Sequence, residues 1–381
     1  MLQVSRQLNS VDWNFADVSA DKGIHAIHPY PAKFICQIPR QLMELYHPGD
    51  TSVVLDPFCG SGTTLVEGIF LGLEAWGIDV HPLACLISRV KTTALAPDFG
   101  HTAQGVIRRA GSRITTNHVT VPRIPNLDHW FKRDIQIALA ALISEIEDVT
   151  TVSTREALQV AFSSIVVRVS NQESNTRYAA VEKNVWVDDV FTLFERAAAN
   201  VARAISSFRA RLCVTVGVAR VLNEDILSVS ARDLPKNVGL VVTSPPYPNA
   251  YEYWLYHKYR MFWLGMDPIA VREREIGARP HYFKTKHQDE HDFERQMGVC
   301  FRLLSRVMLP DAKACFLVGR SIIHGREIDN VALLRRSAEP HGFEFQGAVE
   351  RSIPPTRKTF NPSHGRITKE YVIVFSLRRG Q

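Results

Sequence analysis

The span from Thr51 to Val80, TSVVLDPFCGSGTTLVEGIFLGLEAWGIDV, leaves this chain little choice of fold. A β-branched run ends at LDPF, a turn holding two glycines comes next, LVEGIFLGL reads as a helix, and EAWGIDV reads as a second strand. Strand, tight turn, helix and strand in so short a span form a crossover, which sets the two strands parallel and needs helices on the sheet faces. The alternation resumes late in the chain with ARVLNEDI, VGLVVTSPPY, a helix within FERQMGVCFRLLSRVML, and KACFLVGRS. FEFQGAVERSI and EYVIVFSLR then predict two strands joined by a long basic loop. The expected fold is a doubly wound, Rossmann-like α/β sheet with an antiparallel C-terminal hairpin.

Between these halves the texture changes. From about Pro97 to Ala219, stretches such as DIQIALAALISEI, EALQVAFSSIVVRV and DVFTLFERAAANVARAISSF carry apolar residues at helical spacing. The predicted organisation is therefore residues 1–98 with the Gly-rich turn, a helical insertion over 99–219, and a return to the sheet over 220–381. A length of 381 residues fits one large α/β domain with an insertion, or two domains. The six cysteines show no CxxC spacing, and the histidines no metal-ligand pairing, so neither a disulfide framework nor a metal site is expected. The N-terminus lacks a leader architecture and no apolar run is long enough to span a bilayer, which predicts a soluble, cytoplasmic protein. The formal charge of +6 suits an acidic partner such as nucleic acid without requiring one.

Two motifs carry chemistry. In LDPFCGSGTT, Gly60 and Gly62 permit a tight turn at a strand tip and a close ligand approach. No lysine comes after the second glycine, so it is not a P-loop, and Leu65 stands where GxGxxG needs its third glycine. Asp79, at the end of the next strand, sits where an acidic residue meets ribose hydroxyls. The combination points to an adenosyl ligand with no pyrophosphate requirement. The second motif, VVTSPPYPNAYEY (Val241–Tyr253), ends a core strand in a stiff proline pair and then aromatics. A planar exocyclic base amine is a poor nucleophile because its lone pair is delocalised into the ring. The Ser244 hydroxyl and the Pro245 carbonyl can accept both amine hydrogens, which concentrates that lone pair, and the Pro245–Pro246 pair presents them with little reorganisation. Tyr247 can stack on a base that has left the duplex.

Together DPFCGSGTT, Asp79, NED (Asn223–Asp225) and TSPPY resemble the amino-group DNA methyltransferases, which use S-adenosylmethionine, and HPYPAKF (His28–Phe34) is similar to the motif that precedes their Gly-rich strand. The resemblance covers about Gly23 to Thr93 and Ala219 to Leu377, with the cofactor motif ahead of the catalytic loop. It implies the class I methyltransferase form of the fold. It implies that Phe58, Gly60 and Gly62 line the methionine side of the cofactor with Thr63 and Thr64 nearby, and that Asp56 and Ser61 also belong to the cofactor-binding set. It gives the ribose to Asp79, the adenine amine to Asp225 and the methionine carboxylate to Lys33, with Ser244, Pro245, Pro246 and Tyr247 as the catalytic loop. Members with serine before the prolines mostly modify cytosine N4, and those with aspartate mostly adenine N6. The reaction so implied is methyl transfer to cytosine N4 in duplex DNA by base flipping, with adenine N6 as the near alternative. An RNA guanine-N2 enzyme and a catalytically silent DNA-binding subunit are the further alternatives. About twenty residues precede the resembling region, too few for the RNA-binding module of the former. The intact DPFCGSG and SPPY motifs speak against the latter. A solitary modification enzyme and the protector that accompanies a restriction endonuclease would look alike.

Carbon-5 cytosine methylation needs a thiolate in a Pro-Cys loop, and no cysteine here directly succeeds a proline, so Cys59 reads as a small buried filler. Three segments are candidates for touching DNA. PPTRKTFNPSHGRITKE offers Arg357, Lys358, His364 and Arg366 for phosphates. REREIGARPHYFKTKHQ mixes Arg279, Lys284 and Lys286 with aromatics. RVSNQESNTRYAAVEKN is polar enough to meet base edges or phosphates. The last two are the expected readers of sequence, and Tyr251 and Tyr253 either line the base pocket or pack the next helix.

Overall fold

A computed structural model describes residues 2–16, 23–31, 33, 35–49, 52–175, 177–212, 217–249, 252–283, 288–353 and 369–378. Its centre is a seven-stranded sheet built from β1 (Val53–Asp56), β2 (Glu74–Ile78), β3 (Ala219–Leu222), β4 (Val238–Thr243), β5 (Met308–Gly319), β8 (Phe343–Ser352) and β9 (Lys369–Leu377). A small separate hairpin of β6 (Ser321–Ile323) and β7 (Arg326–Ile328) lies between β5 and β8 in the chain. In space the order is β3-β2-β1-β4-β5-β9-β8, with β3 to β5 parallel and β9 antiparallel to both its neighbours. The chain leaves β1 toward β2 and β3 but leaves β4 toward β5. The strand tips of β1 and β4 therefore form the point where the order reverses, which is where doubly wound sheets bind ligands.

Alternation along the strands supplies two different cores. Leu55, Val241, Phe316 and Phe375 face one side, where α14 (Glu290–Val307) and α15 (Asn330–Ala338) pack. Val54, Leu240, Val242, Cys315 and Val374 face the other and meet α1 (Leu2–Asn9) and α2 (Gln37–Leu45). The N-terminal segment is tied along the sheet edge: Arg351 Nε donates to the Trp13 carbonyl at 2.9 Å and the Ser352 amide to Asn14 Oδ1 at 2.7 Å.

The predicted insertion is helical, with α5 (Phe99–Thr115), α6 (Leu127–Trp130), α7 (Arg133–Glu147), α8 (Val152–Val166) and α9 (Val187–Arg209). Its core does not stop at residue 219. One apolar cluster joins these helices to α3 (Thr63–Phe70), to α4 (Pro82–Thr92), and to Trp254, Tyr259, Met261 and Trp263 from beyond the loop that follows β4. Those last residues lie on or beside α10 (Tyr253–Tyr256) and α11 (Lys258–Trp263), which lead into α12 (Pro268–Arg274) and α13 (Arg279–Phe283). Buried Arg260 fastens the two parts by donating to the Ser163 carbonyl at 3.1 Å and to Asn175. Periodicity marked the helices, but a boundary drawn from composition misses a core shared across it. No helix among the described residues is long and apolar enough to cross a membrane.

Candidate active site

At the reversal point a cleft open to solvent runs over the tips of β1, β2 and β4. Its first wall is the turn between β1 and α3. Gly60 and Gly62 have φ of +49° and +79°, a region that costs any other residue energy. A Cβ on Gly62 would lie 2.7 Å from Ser88 Oγ, and a Cβ on Gly60 would reach the Tyr30 ring at 3.6 Å. α4 braces the turn from behind: Ser88 Oγ donates to the Gly60 carbonyl at 2.8 Å and buried Lys91 Nζ to the Ser61 carbonyl at 2.7 Å. Gly77 on β2 has no side chain because Cys59 occupies the space, 2.8 Å from where its Cβ would be. Burial pushes the Cys59 thiol well up, so it stays protonated and is no nucleophile.

Asp79 closes the next side. One carboxylate oxygen accepts from the Gly60 amide at 2.8 Å and the other from the His81 amide at 2.8 Å, which leaves each a further lone pair toward the cleft. Burial raises this carboxyl to about 6, against the pull of those two amides. His81 beside it is pushed down to about 4 by burial and is neutral at neutral pH. Asp225 and Ile226 continue the wall after β3, and Lys33 reaches it with Nζ 2.7 Å from the His25 carbonyl.

The opposite wall is the loop after β4. Ser244 and Pro246 line the cleft, as do Tyr253, Arg274, Glu275 and Ile276. The site thus brings together Lys33, Phe58, Gly60, Ser61, Thr63, Asp79, Asp225, Ser244, Pro246 and Tyr253 of the residues expected from sequence.

Several expected residues are placed elsewhere. Asp56 and Thr64 lie behind the wall. Asp56 accepts from Thr243 Oγ1 at 2.6 Å and from the Phe58 amide at 3.1 Å, while Thr64 donates to the Val242 carbonyl at 3.3 Å. They knit the tips of β1 and β4 together instead of facing a ligand. Gly62 and Pro245 are also absent from the lining. Tyr247, expected to stack on a base, is only 7% exposed and packs in the core under the loop. Its hydroxyl lies 3.4 Å from Ser244 Oγ and donates to Glu370 at 3.3 Å, and Glu370 is paired with Arg351. The C-terminal hairpin, brought beneath the loop by β9 beside β5, is what holds this ring inward. Arg279 stands outside the lining, near Glu252. Tyr251, Lys284, Lys286, Arg357, Lys358, His364 and Arg366 lie outside the described residues.

Sequence reasoning passed over Tyr30, His81 and Glu275. Tyr30 stacks on Tyr253 with centroids 5.8 Å apart and on His257 at 4.9 Å, forming an aromatic end wall. It sits inside HPYPAKF, where the lysine alone drew notice. Glu275 belongs to the charge-rich RERE run, a pattern that ordinarily marks a solvated face.

Among known proteins, a family model described as DNA methylase, of the N6/N4 type, matches residues 5–89, which begins ahead of the segment where the sequence motifs start. The type II methyltransferase M.MvaI of Kocuria varians is 29% identical over 192 residues, 46% of this chain and 42% of that protein. M.MjaII of Methanocaldococcus jannaschii is 40% identical over 87 residues, 21% of this chain and 16% of its own length. M.BsoBI of Geobacillus stearothermophilus is 21% identical over 281 residues, covering 66% and 55%. The chain thus spans less than two thirds of the length of each of these relatives.

Proposed function

We propose, from the likeness of this chain to the amino-group DNA methylases, that it transfers a methyl group from S-adenosylmethionine to the N4 amine of a cytosine flipped out of duplex DNA. The observation that carries the reading is a single cleft. It holds, on one side, carboxylates at the tip of β2 and just after β3, and on the other Ser244 at the tip of β4.

The residues present fit the cofactor. The bare faces of Gly60 and Ser61 leave room for its backbone-like methionine portion, and Phe58 and Ile226 offer apolar surface for the adenine. Asp79 keeps lone pairs for a ribose diol, Asp225 an acceptor for an exocyclic amine, and Lys33 a cation for a carboxylate. When bound, the cofactor supplies an electrophilic methyl on a sulfonium. The chain's own work is to orient and to polarise. Ser244 Oγ accepts one amine hydrogen while its proton points to the Tyr247 oxygen 3.4 Å away, a chain that ends on Glu370. The second hydrogen is assigned to the Pro245 carbonyl, which does not line the cleft in the free chain and meets the amine only if the loop adjusts as the base enters, so that the nitrogen lone pair is aimed at the methyl. With Tyr247 packed inward, stacking on the base falls to Tyr30 and Tyr253, the half-buried aromatic edge of the same cleft.

Sequence reading of the DNA is assigned to the helical segment and residues 272–288, and phosphate contact to the loop between β8 and β9. The deciding experiment incubates the protein with S-adenosylmethionine and unmethylated bacterial DNA, then identifies the modified nucleoside by mass spectrometry. N4-methylcytosine is the expected product. N6-methyladenine would keep the mechanism and overturn the base assignment, and methylation of RNA in place of DNA would sink the reading.

A further inference from the structure

Residues 244–249, the described part of the loop after β4, carry no helix or strand, and three hydrogen bonds hold them and the first turn of α10 from one side. All three come from Glu275–Gly277. The Asn249 amide donates to the Gly277 carbonyl at 3.0 Å. Gly277, at φ of +75°, lies so close that a Cβ there would stand 3.0 Å from the Tyr247 carbonyl oxygen. The two oxygens of Glu275 accept separately, one from the Tyr253 amide at 2.8 Å and one from the Trp254 amide at 3.1 Å. Glu275 is 5% exposed and also lines the cleft beside Tyr253.

We infer that Glu275 is a positioning residue, whose carboxylate grips the Tyr253 and Trp254 amides and so fixes the loop that presents Ser244. The inference rests on the reading of Ser244 as the amine-gripping group. Two amides side by side ask for two acceptors, which an ionised carboxylate supplies and a glutamine does not. Glutamine offers one oxygen, and its NH2 faces an N–H of the backbone. The grip is costly to keep: burial, with Asp79 and Glu252 pushing the same way, raises Glu275 to about 8. Among the described residues, the carboxylates of Asp79 and Glu252 bear on it, Arg279 lies beside Glu252, and Arg274 and Lys33 line the same cleft. A carboxyl raised above its unfolded value binds protons more tightly in the folded state, so ionising Glu275 lowers stability as pH rises toward 8. A group that weakens the fold in the form that grips best is explained by its effect on the loop.

The test compares the full chain with its Glu275→Gln variant from pH 6.5 to 9, using S-adenosylmethionine and duplex DNA. Turnover should fall about 10- to 100-fold, with cofactor Kd within about twofold and a melting temperature at pH 8.5 unchanged or higher. Wild-type turnover should climb with pH through about 8, and that rise should vanish in the variant. Turnover within twofold of wild type would overturn the inference, as would a parallel fall of turnover, cofactor affinity and melting temperature, which is what a purely structural role predicts. If the wild-type protein moves no methyl group to DNA, the proposed function fails instead. Hydrogen exchange then decides: faster exchange of the Tyr253 and Trp254 amides in the variant upholds the grip, and equal exchange refutes it.

Discussion

Two loops face each other across the cleft, and they are held in different ways. The turn after β1 is braced by residues close to it in the chain. Its glycines set the path, Asp79 takes the Gly60 amide, and Ser88 and Lys91 cap its carbonyls from α4. The loop after β4 is held partly by Glu275 and Gly277, at a similar distance along the chain, and partly by residues far beyond it: Glu370 on β9 beneath, and the Ile322 carbonyl, which accepts from Asn249 Nδ2 at 2.7 Å. The braces of the first turn all lie on β2 and α4, whereas the loop after β4 also needs β6 and β9 in place. On the proposed reading that division separates binding from chemistry, and substitutions should respect it.

The sharpest break would come from a crossed pair. Ser244→Ala should lower turnover by about 10²-fold or more, because a preorganised polar group at the reacting amine is lost, while cofactor Kd stays within about twofold. Asp79→Ala should do the reverse first, weakening cofactor binding by about 10- to 100-fold through lost charge-assisted hydrogen bonds. Calorimetry with the cofactor and single-turnover kinetics on DNA read the two quantities separately. Equal loss of both in either variant would mean that the two walls do not act independently.

A second pair sharpens the same contrast on the backbone. Gly62→Ala forces a left-handed conformation on alanine and drives a Cβ to 2.7 Å from Ser88 Oγ. The left-handed conformation costs about 1–2 kcal/mol and overpacking about 1–3 kcal/mol, so denaturant melts should show a loss of several kcal/mol together with lost cofactor binding. Gly277→Ala likewise forces a left-handed conformation, at φ of +75°, and meets the Tyr247 carbonyl oxygen at 3.0 Å, a longer approach than at Gly62. Its expected cost is about 1–2 kcal/mol for the conformation with up to about 1–3 kcal/mol for the contact, with turnover reduced and cofactor Kd unchanged. If Gly277→Ala weakened cofactor binding as strongly as Gly62→Ala, the supports of the two loops would have to be one structure.

The same contrast explains how far the sequence was legible. Gly60, Gly62 and Asp79 lie within twenty residues in one βαβ unit, so spacing alone placed them at a shared strand edge. The sheet was legible too, since the unbroken apolar runs in VVLD, VGLVVT and EYVIVFSL report strands buried on both faces. Glu275 could not be found that way. Its partners are amides some twenty residues earlier, backbone hydrogen bonding leaves no mark on composition, and RERE looks like surface. The inward placement of Tyr247 is not legible from the motif because its environment is set by Glu370, 123 residues later, through the pairing of β5 with β9. Nor is the placement of Asp56 and Thr64 behind the wall, for a smaller reason: a motif tells which residues surround a turn but not which way each side chain points.

Asp56 therefore offers the smallest and most discriminating test of the local wall. It is fully buried, its Oδ1 takes both the Thr243 hydroxyl and the Phe58 amide, and burial lifts its carboxyl to about 6. A carboxyl raised above its unfolded value contributes stability while it is protonated, and that contribution drains away as pH rises from about 4 to about 6. Asp56→Asn keeps an oxygen for both donors and has no charge to bury. Melts of both proteins at pH 4.5, 6 and 7.5 should show the variant gaining on wild type as pH increases, by about 1–3 kcal/mol in all. Asp79, raised in the same direction, remains in both proteins and cancels from the difference. Cofactor affinity should change by less than about threefold, since the side chain stands behind the wall. A tenfold loss of affinity, or a difference between the proteins that ignores pH, would return Asp56 to the ligand side of the turn and dissolve the distinction between what shapes this wall and what faces the cofactor.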